Sequence, residues 1–361
     1  MIRVLHVLSD SNIGGAGHQM LALLSGGREG FEVKVALPEG ALLIPALEAA
    51  GVKCVELPHL AEKSFSFGAV RALRRHMEVF RPDIVHTHAA MSGRLAARLY
   101  GRCKIVHTRH SVFEPGFKQR LLGRLTGWLS DAVIAVSPAA KDNLLALGTN
   151  PGKIHVIFNG MPKPREFSLE ERAALREKYG ILQDVFVLAQ VARLTEVKGQ
   201  GDMLTASHDF DENILLVMAG EGELRGQLEA RIEAENIRNV RLLGFVKEVE
   251  EILAIMDVQV SASFGTEATS LALVQGMSIG KPAIVTDYGG NPYVITTGEN
   301  GVVVPTRDPA AMAAAVNRLR GDDGMYARLS EGAAADYMAR FTVEEMVDRT
   351  FGLYGELKSC D

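Results

Sequence analysis

Short runs of Val, Ile and Leu recur along the chain, separated by stretches whose apolar positions follow helical spacing. In the first half these runs predict strands at residues 3–8, 32–36, 53–56, 84–88, 104–108, 132–136 and 153–157. Most are apolar on successive positions instead of alternating. Such strands are covered on both faces, as in a parallel sheet wrapped by helices. Helical periodicity at residues 18–24 and 67–80 supplies connections of the right length. A second series predicts strands at residues 185–191, 214–220, 240–243, 258–261, 282–286 and 301–304. The two series meet at Asn159-Gly160, a turn signal, followed by Pro162 and Pro164. Residues 162–166 read as the linker. Ser168 with Glu171 three positions on predicts a capped helix start.

The expected fold is therefore α/β, with two doubly wound parallel-sheet domains facing across a cleft. Residues 1–163 form the first, residues 164–341 the second, and a helix within 342–361 returns to the first. A length of 361 residues suits two such domains. No apolar run reaches the ~18 residues of a spanning helix. The opening residues read as a strand, not as a secretion signal. Cys54, Cys103 and Cys360 are odd in number and widely spaced, which argues for a reducing compartment and against a disulfide framework. A cytoplasmic location is expected.

Charge adds an asymmetry. Residues 1–163 hold 20 Lys and Arg against 12 Asp and Glu, net +8, and the remainder is net −13. Either the first half meets an anion, such as a phosphate or a membrane surface, or the two solvated surfaces simply differ. No nucleic-acid partner is expected.

Candidate chemistry lies where strands end. The first strand runs into Gly14-Gly15-Ala16-Gly17 ahead of a helix. Glycines there let backbone N–H groups approach an anion, or merely make a tight turn. The dinucleotide pattern G-x-G-x-x-G fails at Met20. The fourth strand ends His86-Thr87-His88. Alternation puts the two histidines on one face. His86 suits a core position, and His88 is expected to point at the cleft and bond a polar ligand. A metal pair is disfavoured, because no third ligand is spaced nearby.

In the second half, Arg193 and Lys198-Gly199 flank one strand-to-helix turn, placed to grip a diphosphate. Gly220-Glu221-Gly222 follows the next strand. Further on, Glu267 precedes Ala268-Thr269-Ser270 at the mouth of an apolar helix, whose free N–H groups suit a phosphate. Glu267 either bonds sugar hydroxyls or caps that helix. Asp287-Tyr-Gly289-Gly290-Asn291-Pro292 makes a further glycine turn. Residues 113–129 carry Phe117, Leu121, Leu122, Leu125 and Trp128 beside Lys118, Arg120 and Arg124. That segment either packs within its domain or lies on an anionic membrane.

This ordered set resembles glycosyltransferase family 4, the large retaining group with the GT-B fold. The resemblance spans nearly the whole chain. It implies transfer of a hexosyl group from a nucleotide-diphosphate sugar, with UDP favoured over GDP, to a glycan or lipid-linked acceptor in cell-surface polysaccharide synthesis. It implies that Gly14 and Gly15 lie by the donor phosphate or the acceptor, that His88 contacts the donor sugar, and that Arg193 and Lys198 hold the diphosphate. Glu267 would bind a sugar hydroxyl, Ala268, Thr269 and Ser270 would meet phosphate and sugar, and Phe245 and Val246 would lie near the base. Two positions depart from the family pattern. Gln275 stands where a ribose-binding Glu is usual, and Tyr293 where an acid often follows the Gly-Gly-x-Pro turn. No D-x-D pair suggests a divalent cation, so no metal or other cofactor is expected. Peripheral contact with the inner membrane face is an added expectation. The rivals are an epimerase or phosphorylase on the same fold, and a degenerate transferase kept as a binding or partner module.

Overall fold

The computed structural model describes residues 1–11, 14–60, 65–88 and 90–359. Cys360 lies outside them. The chain divides into two compact units, Met1–Met161 with Val343–Asp361, and Pro162–Thr342.

In unit 1 the apolar runs form β1 (Ile2–Leu8), β2 (Phe31–Pro38), β3 (Lys53–Leu57), β4 (Ile84–His88), β5 (Lys104–Arg109), β6 (Ala132–Ala135) and β7 (Ile154–Val156). Among the described residues they make one parallel sheet in the order β3-β2-β1-β4-β5-β6-β7. Both faces are covered, which is why β1 is apolar on successive positions. Val4 and Leu8 pack with Leu23, Val35 and Ile84 on one side. Leu5 and Val7 pack with Leu73 and Met77 on the other. The helix Phe67–Phe80 starts where Ser66 Oγ accepts from the Ala69 N–H, and ends at Arg81 in the left-handed region, φ 54°. The helix Val343–Ser359 places Met346, Phe351 and Tyr354 in the same core as β1 and β2. The chain reverses its direction of sheet growth between β1 and β4.

Unit 2 repeats the scheme with β8 (Phe186–Val191), β9 (Ile214–Ala219), β10 (Val240–Gly244), β11 (Val258–Ser261), β12 (Ala283–Thr286) and β13 (Gly301–Val304). Among the described residues their order is β10-β9-β8-β11-β12-β13, all parallel. The entering helix Leu169–Lys178 is closed by a capping box of Ser168 and Glu171. Asp257 ties that helix to the sheet, accepting from Arg176 at 3.1 Å and from the Val187 N–H at 2.8 Å. Here the reversal falls between β8 and β11. Ligands of doubly wound sheets bind beyond the carboxyl ends of the two strands that flank such a reversal.

Candidate active site

Both strands flanking the unit 2 reversal deliver charge to their carboxyl ends. The loop after β8 carries Arg193 and Lys198, and the loop after β11 carries Glu267. The Lys198 Nζ donates to Glu267 Oε2 at 2.5 Å, so one ion pair bridges the reversal. Ser263 Oγ also donates to Glu267 Oε2, at 3.2 Å. The carboxylate side chain is only 8% exposed and the lysine 23%. A carboxylate so buried requires a cation and a hydrogen bond, and it has both. Arg193 is exposed, and among the described residues no carboxylate pairs with it. Its backbone carbonyl accepts from Gln200 Nε2 at 3.0 Å, which fixes the loop while the guanidinium stays free.

The segment after Glu267 leads into the helix Leu271–Ser278, with Ser270 as N-cap, its Oγ accepting from the Leu273 N–H at 3.4 Å. Ala268 is buried, and Thr269 and Ser270 are half-buried. Thr266, just before, holds φ at 55°, unusual for a β-branched residue and the mark of a constrained loop. The glycines around this point let neighbouring loops approach closely. A Cβ on Gly199 would sit 2.1 Å from the Ala262 carbonyl oxygen, and one on Gly290 would sit 1.7 Å from that of Ala268. They lock neighbouring loops backbone to backbone. The Gly290 N–H also donates to the Glu267 carbonyl at 3.0 Å. The rigid site is thus built by loop-to-loop contact at these positions.

Gln275 is half-buried on the following helix. Phe245, after β10, is 76% exposed, while Val246 packs partly against the core beneath β8 and β9. Tyr293 is 39% exposed, and its carbonyl accepts from Arg340.

The corresponding point of unit 1 is filled differently. Gly14 caps the helix Gly15–Leu24 with extended φ and ψ, and Gly15 is exposed. His88, at the end of β4, is 0% exposed. Its Nε2 meets His6 Nδ1 at 3.1 Å and its Nδ1 meets His110 Nε2 at 2.9 Å. His88, expected to contact the donor sugar, is thus buried with both ring nitrogens within hydrogen-bond distance of other imidazoles. The expectation of a histidine pair without a third member is corrected. Parallel register sets His6 of β1 opposite His86 of β4, and the ligand atoms of His6, His86 and His88 lie within 4.8 Å of one another. A tri-histidine set suits zinc in principle. Here all six nitrogens have protein partners, because His86 meets Tyr354 Oη at 2.5 Å and Thr108 Oγ1 at 2.6 Å, and His6 Nε2 meets the same Tyr354 hydroxyl at 3.4 Å. The set is a closed hydrogen-bonded network. Burial holds His6 down to about 3 and keeps His86, His88 and His107 far below the usual imidazole range. His110 is lowered to about 4 by burial and then by Arg109. The rings are neutral.

Residues 13–163 match the family described as Glycosyltransferase Family 4, and residues 171–336 match Glycosyl transferases group 1. EpsD of Bacillus subtilis (strain 168), named as a glycosyltransferase, is 31% identical over 77% of this chain and 78% of its own. The chain belongs to glycosyltransferase family 4. The transferase is also 28% identical to the Escherichia coli UDP-Gal:alpha-D-GlcNAc-diphosphoundecaprenol alpha-1,3-galactosyltransferase, over 75% of each chain. Its fold is shared with Anabaena Alr3699/HepE, solved in complex with UDP, at a TM-score of 0.85 and 20% identity, covering 98% of this chain and 100% of the other. The two parallel-sheet domains are thus those of the GT-B fold. Among the described residues, no helix of the transferase is long and apolar enough to cross a membrane.

Sequence reasoning missed His6, His110, Tyr354 and Ser263. A signal existed for part of the set: Val85-His86-Thr87-His88 is echoed one strand later by Val106-His107-Thr108-Arg109-His110.

Proposed function

We propose that the chain is a retaining, metal-independent hexosyltransferase that moves a sugar from a UDP-sugar to a glycan or lipid-linked acceptor in cell-surface polysaccharide synthesis. The observation that carries this is the Lys198–Glu267 pair bridging the unit 2 reversal, with the unpaired Arg193 beside it. Two cations and a helix mouth favour a diphosphate that gains charge as it leaves, and one such donor is worth roughly 2.7–4 kcal/mol. The bond from sugar C1 to the phosphate oxygen breaks with its electron pair passing to the nucleoside diphosphate. The acceptor oxygen bonds C1 on the same face, and its proton passes to the departing phosphate oxygen. No separate protein base is required. Glu267 holds Lys198 in place before the donor arrives and accepts from a sugar hydroxyl afterwards. The acceptor class and the UDP carrier are supported by the names of the relatives, one of which acts on a diphosphoundecaprenol-linked sugar.

A melting-temperature panel with UDP, GDP and ADP, followed by turnover of the matching nucleotide sugars with and without EDTA, tests this. The expected result is stabilisation by UDP and anomer-retaining transfer that survives EDTA. Stabilisation without transfer to any glycan or lipid-linked acceptor would instead favour a binding module. Loss of turnover in EDTA would end the metal-free mechanism.

A further inference from the structure

Unit 1 contains a cavity of about 190 Å³ beneath the helix Phe117–Thr126, lined among others by Arg94, His107, Arg109, Gln119, Thr126 and Ser130. Among the described residues no carboxylate lines it. Among the described residues neither Arg94 nor Arg109 forms an ion pair, although both are at most half-exposed. Among the described residues the hydrogen-bond partner of Arg94 is Met91 Sδ, at 3.6 Å, and its Nε is buried with no partner. Arg109 reaches the Ser111 carbonyl at 3.0 Å and Asn143 Oδ1 at 3.4 Å and lies over Phe113, all neutral groups. Ser130 Oγ is a second buried orphan. Burial, and then Arg109, lower the Arg94 guanidinium to about 10. Two desolvated cations, two orphaned donors and no anion make a site short of one negative group.

The roof of this cavity has two faces. Gln119, Gly123 and Thr126 point inward, and Gly123 lets the roof settle on the Leu147 carbonyl, where a Cβ would stand 2.3 Å away. A hundred degrees per residue carries Phe117, Leu121 and Leu125 to the opposite face, where they are 81%, 50% and 62% exposed, and Trp128 follows at 58%. No residue of this helix is buried. The expectation that its apolar stripe packs within the domain gives way to an outward stripe flanked by Lys118, Arg120 and Arg124, all exposed. An apolar stripe with a basic border suits an anionic bilayer surface.

We infer that the cavity under helix Phe117–Thr126 takes the phosphate of a lipid-linked acceptor, held by Arg94 and Arg109 while the outer face of the same helix rests in the membrane. The occupant is a phosphate monoester or diphosphate bearing an apolar tail. A planar guanidinium grips such a group with two parallel bonds. This rests on the lipid-linked acceptor of the proposed function.

The test is flotation of the full chain with phosphatidylcholine vesicles carrying phosphatidic acid, against vesicles of matched charge carrying phosphatidylserine. Preference for phosphatidic acid is expected, falling at least about tenfold in Arg94→Gln and Arg109→Gln and partly kept in Arg94→Lys. Leu121→Glu with Leu125→Glu should abolish flotation on both vesicles. Equal flotation on the two lipids, or arginine variants that float like the wild type at unchanged melting temperature, would overturn the inference. A parallel titration with inorganic pyrophosphate, in saturating UDP to occupy the unit 2 site, distinguishes the source. Arginine-dependent pyrophosphate binding without a phosphatidic acid preference would assign the cavity to a soluble phosphate and overturn the lipid assignment. The UDP-induced melting shift reads unit 2 separately. Its absence beside a retained lipid preference would count against the UDP donor of the proposed function and leave the cavity's lipid-phosphate assignment standing.

Discussion

The two units share one topology and use the same point of it in opposite ways. At the unit 1 reversal, between β1 and β4, the space is filled by His6, His86, His88 and Tyr354, neutral and bonded to one another. At the unit 2 reversal, between β8 and β11, stand an ion pair, a free arginine and a helix mouth. Burying neutral polar groups is tolerable when every donor and acceptor is matched. Keeping formal charge there is costly unless function or a partner requires it. The comparison therefore contrasts a neutral, internally bonded set at the unit 1 reversal with buried formal charge at the unit 2 reversal.

The strongest way to break that division is Lys198→Ala. It should lower kcat/KM by about 10²–10³, and leave Glu267 without its cation, at a cost of up to about 3 kcal/mol in unit 2. Adding Glu267→Gln should recover the melting temperature but not turnover. Near-normal rates in the single variant would contradict the phosphate clamp.

Acid should separate the units next. Each of His6, His86, His88 and His107 has its native pKa depressed by burial, so below about 6.5 the unfolded chain takes up protons that the native unit 1 refuses. Stability is full above that pH and falls as pH drops, by about 1.4 kcal/mol per histidine per unit. Unfolding followed by hydrogen exchange at pH 5 should show β1 and β4 exposed before β8 and β11, and the reverse order would refute the linkage.

A smaller effect is expected from Tyr354→Phe, which orphans a His86 nitrogen and weakens the His6 contact. About 1–3 kcal/mol should be lost from unit 1 alone, with the UDP-induced shift unchanged. A normal melting temperature would mean the network is slack. Smallest is Gln275→Glu. If that position meets the ribose, a charged acceptor should tighten UDP binding several-fold. Unchanged or weaker affinity by calorimetry would place the ribose elsewhere.

Much of this architecture was legible in the residues. Each predicted strand appears within two residues of its expected ends, since buried parallel strands declare themselves as Val and Ile runs. The Ser168–Glu171 capping box was likewise readable from local spacing. The networks were not. The pairing of His6 with His86 depends on β1 lying beside β4 in a particular register, and strand order is not written in any local window. The Lys198–Glu267 contact spans 69 positions, and the stripe on residues 117–128 has the same periodicity whether it faces inward or outward.

The helix that contributes Tyr354 and Phe351 to the first core is translated only after all of Pro162–Thr342 has been made. Chains usually fold N-terminal domain first as they emerge at about 5–20 residues per second. Here the later domain is contiguous and able to finish first, while the earlier one waits, its histidines lacking their tyrosine and part of its apolar floor uncovered. A stalled ribosome would thus hold a completed second domain beside an unsealed first one, which makes that nascent intermediate the form most in need of a chaperone.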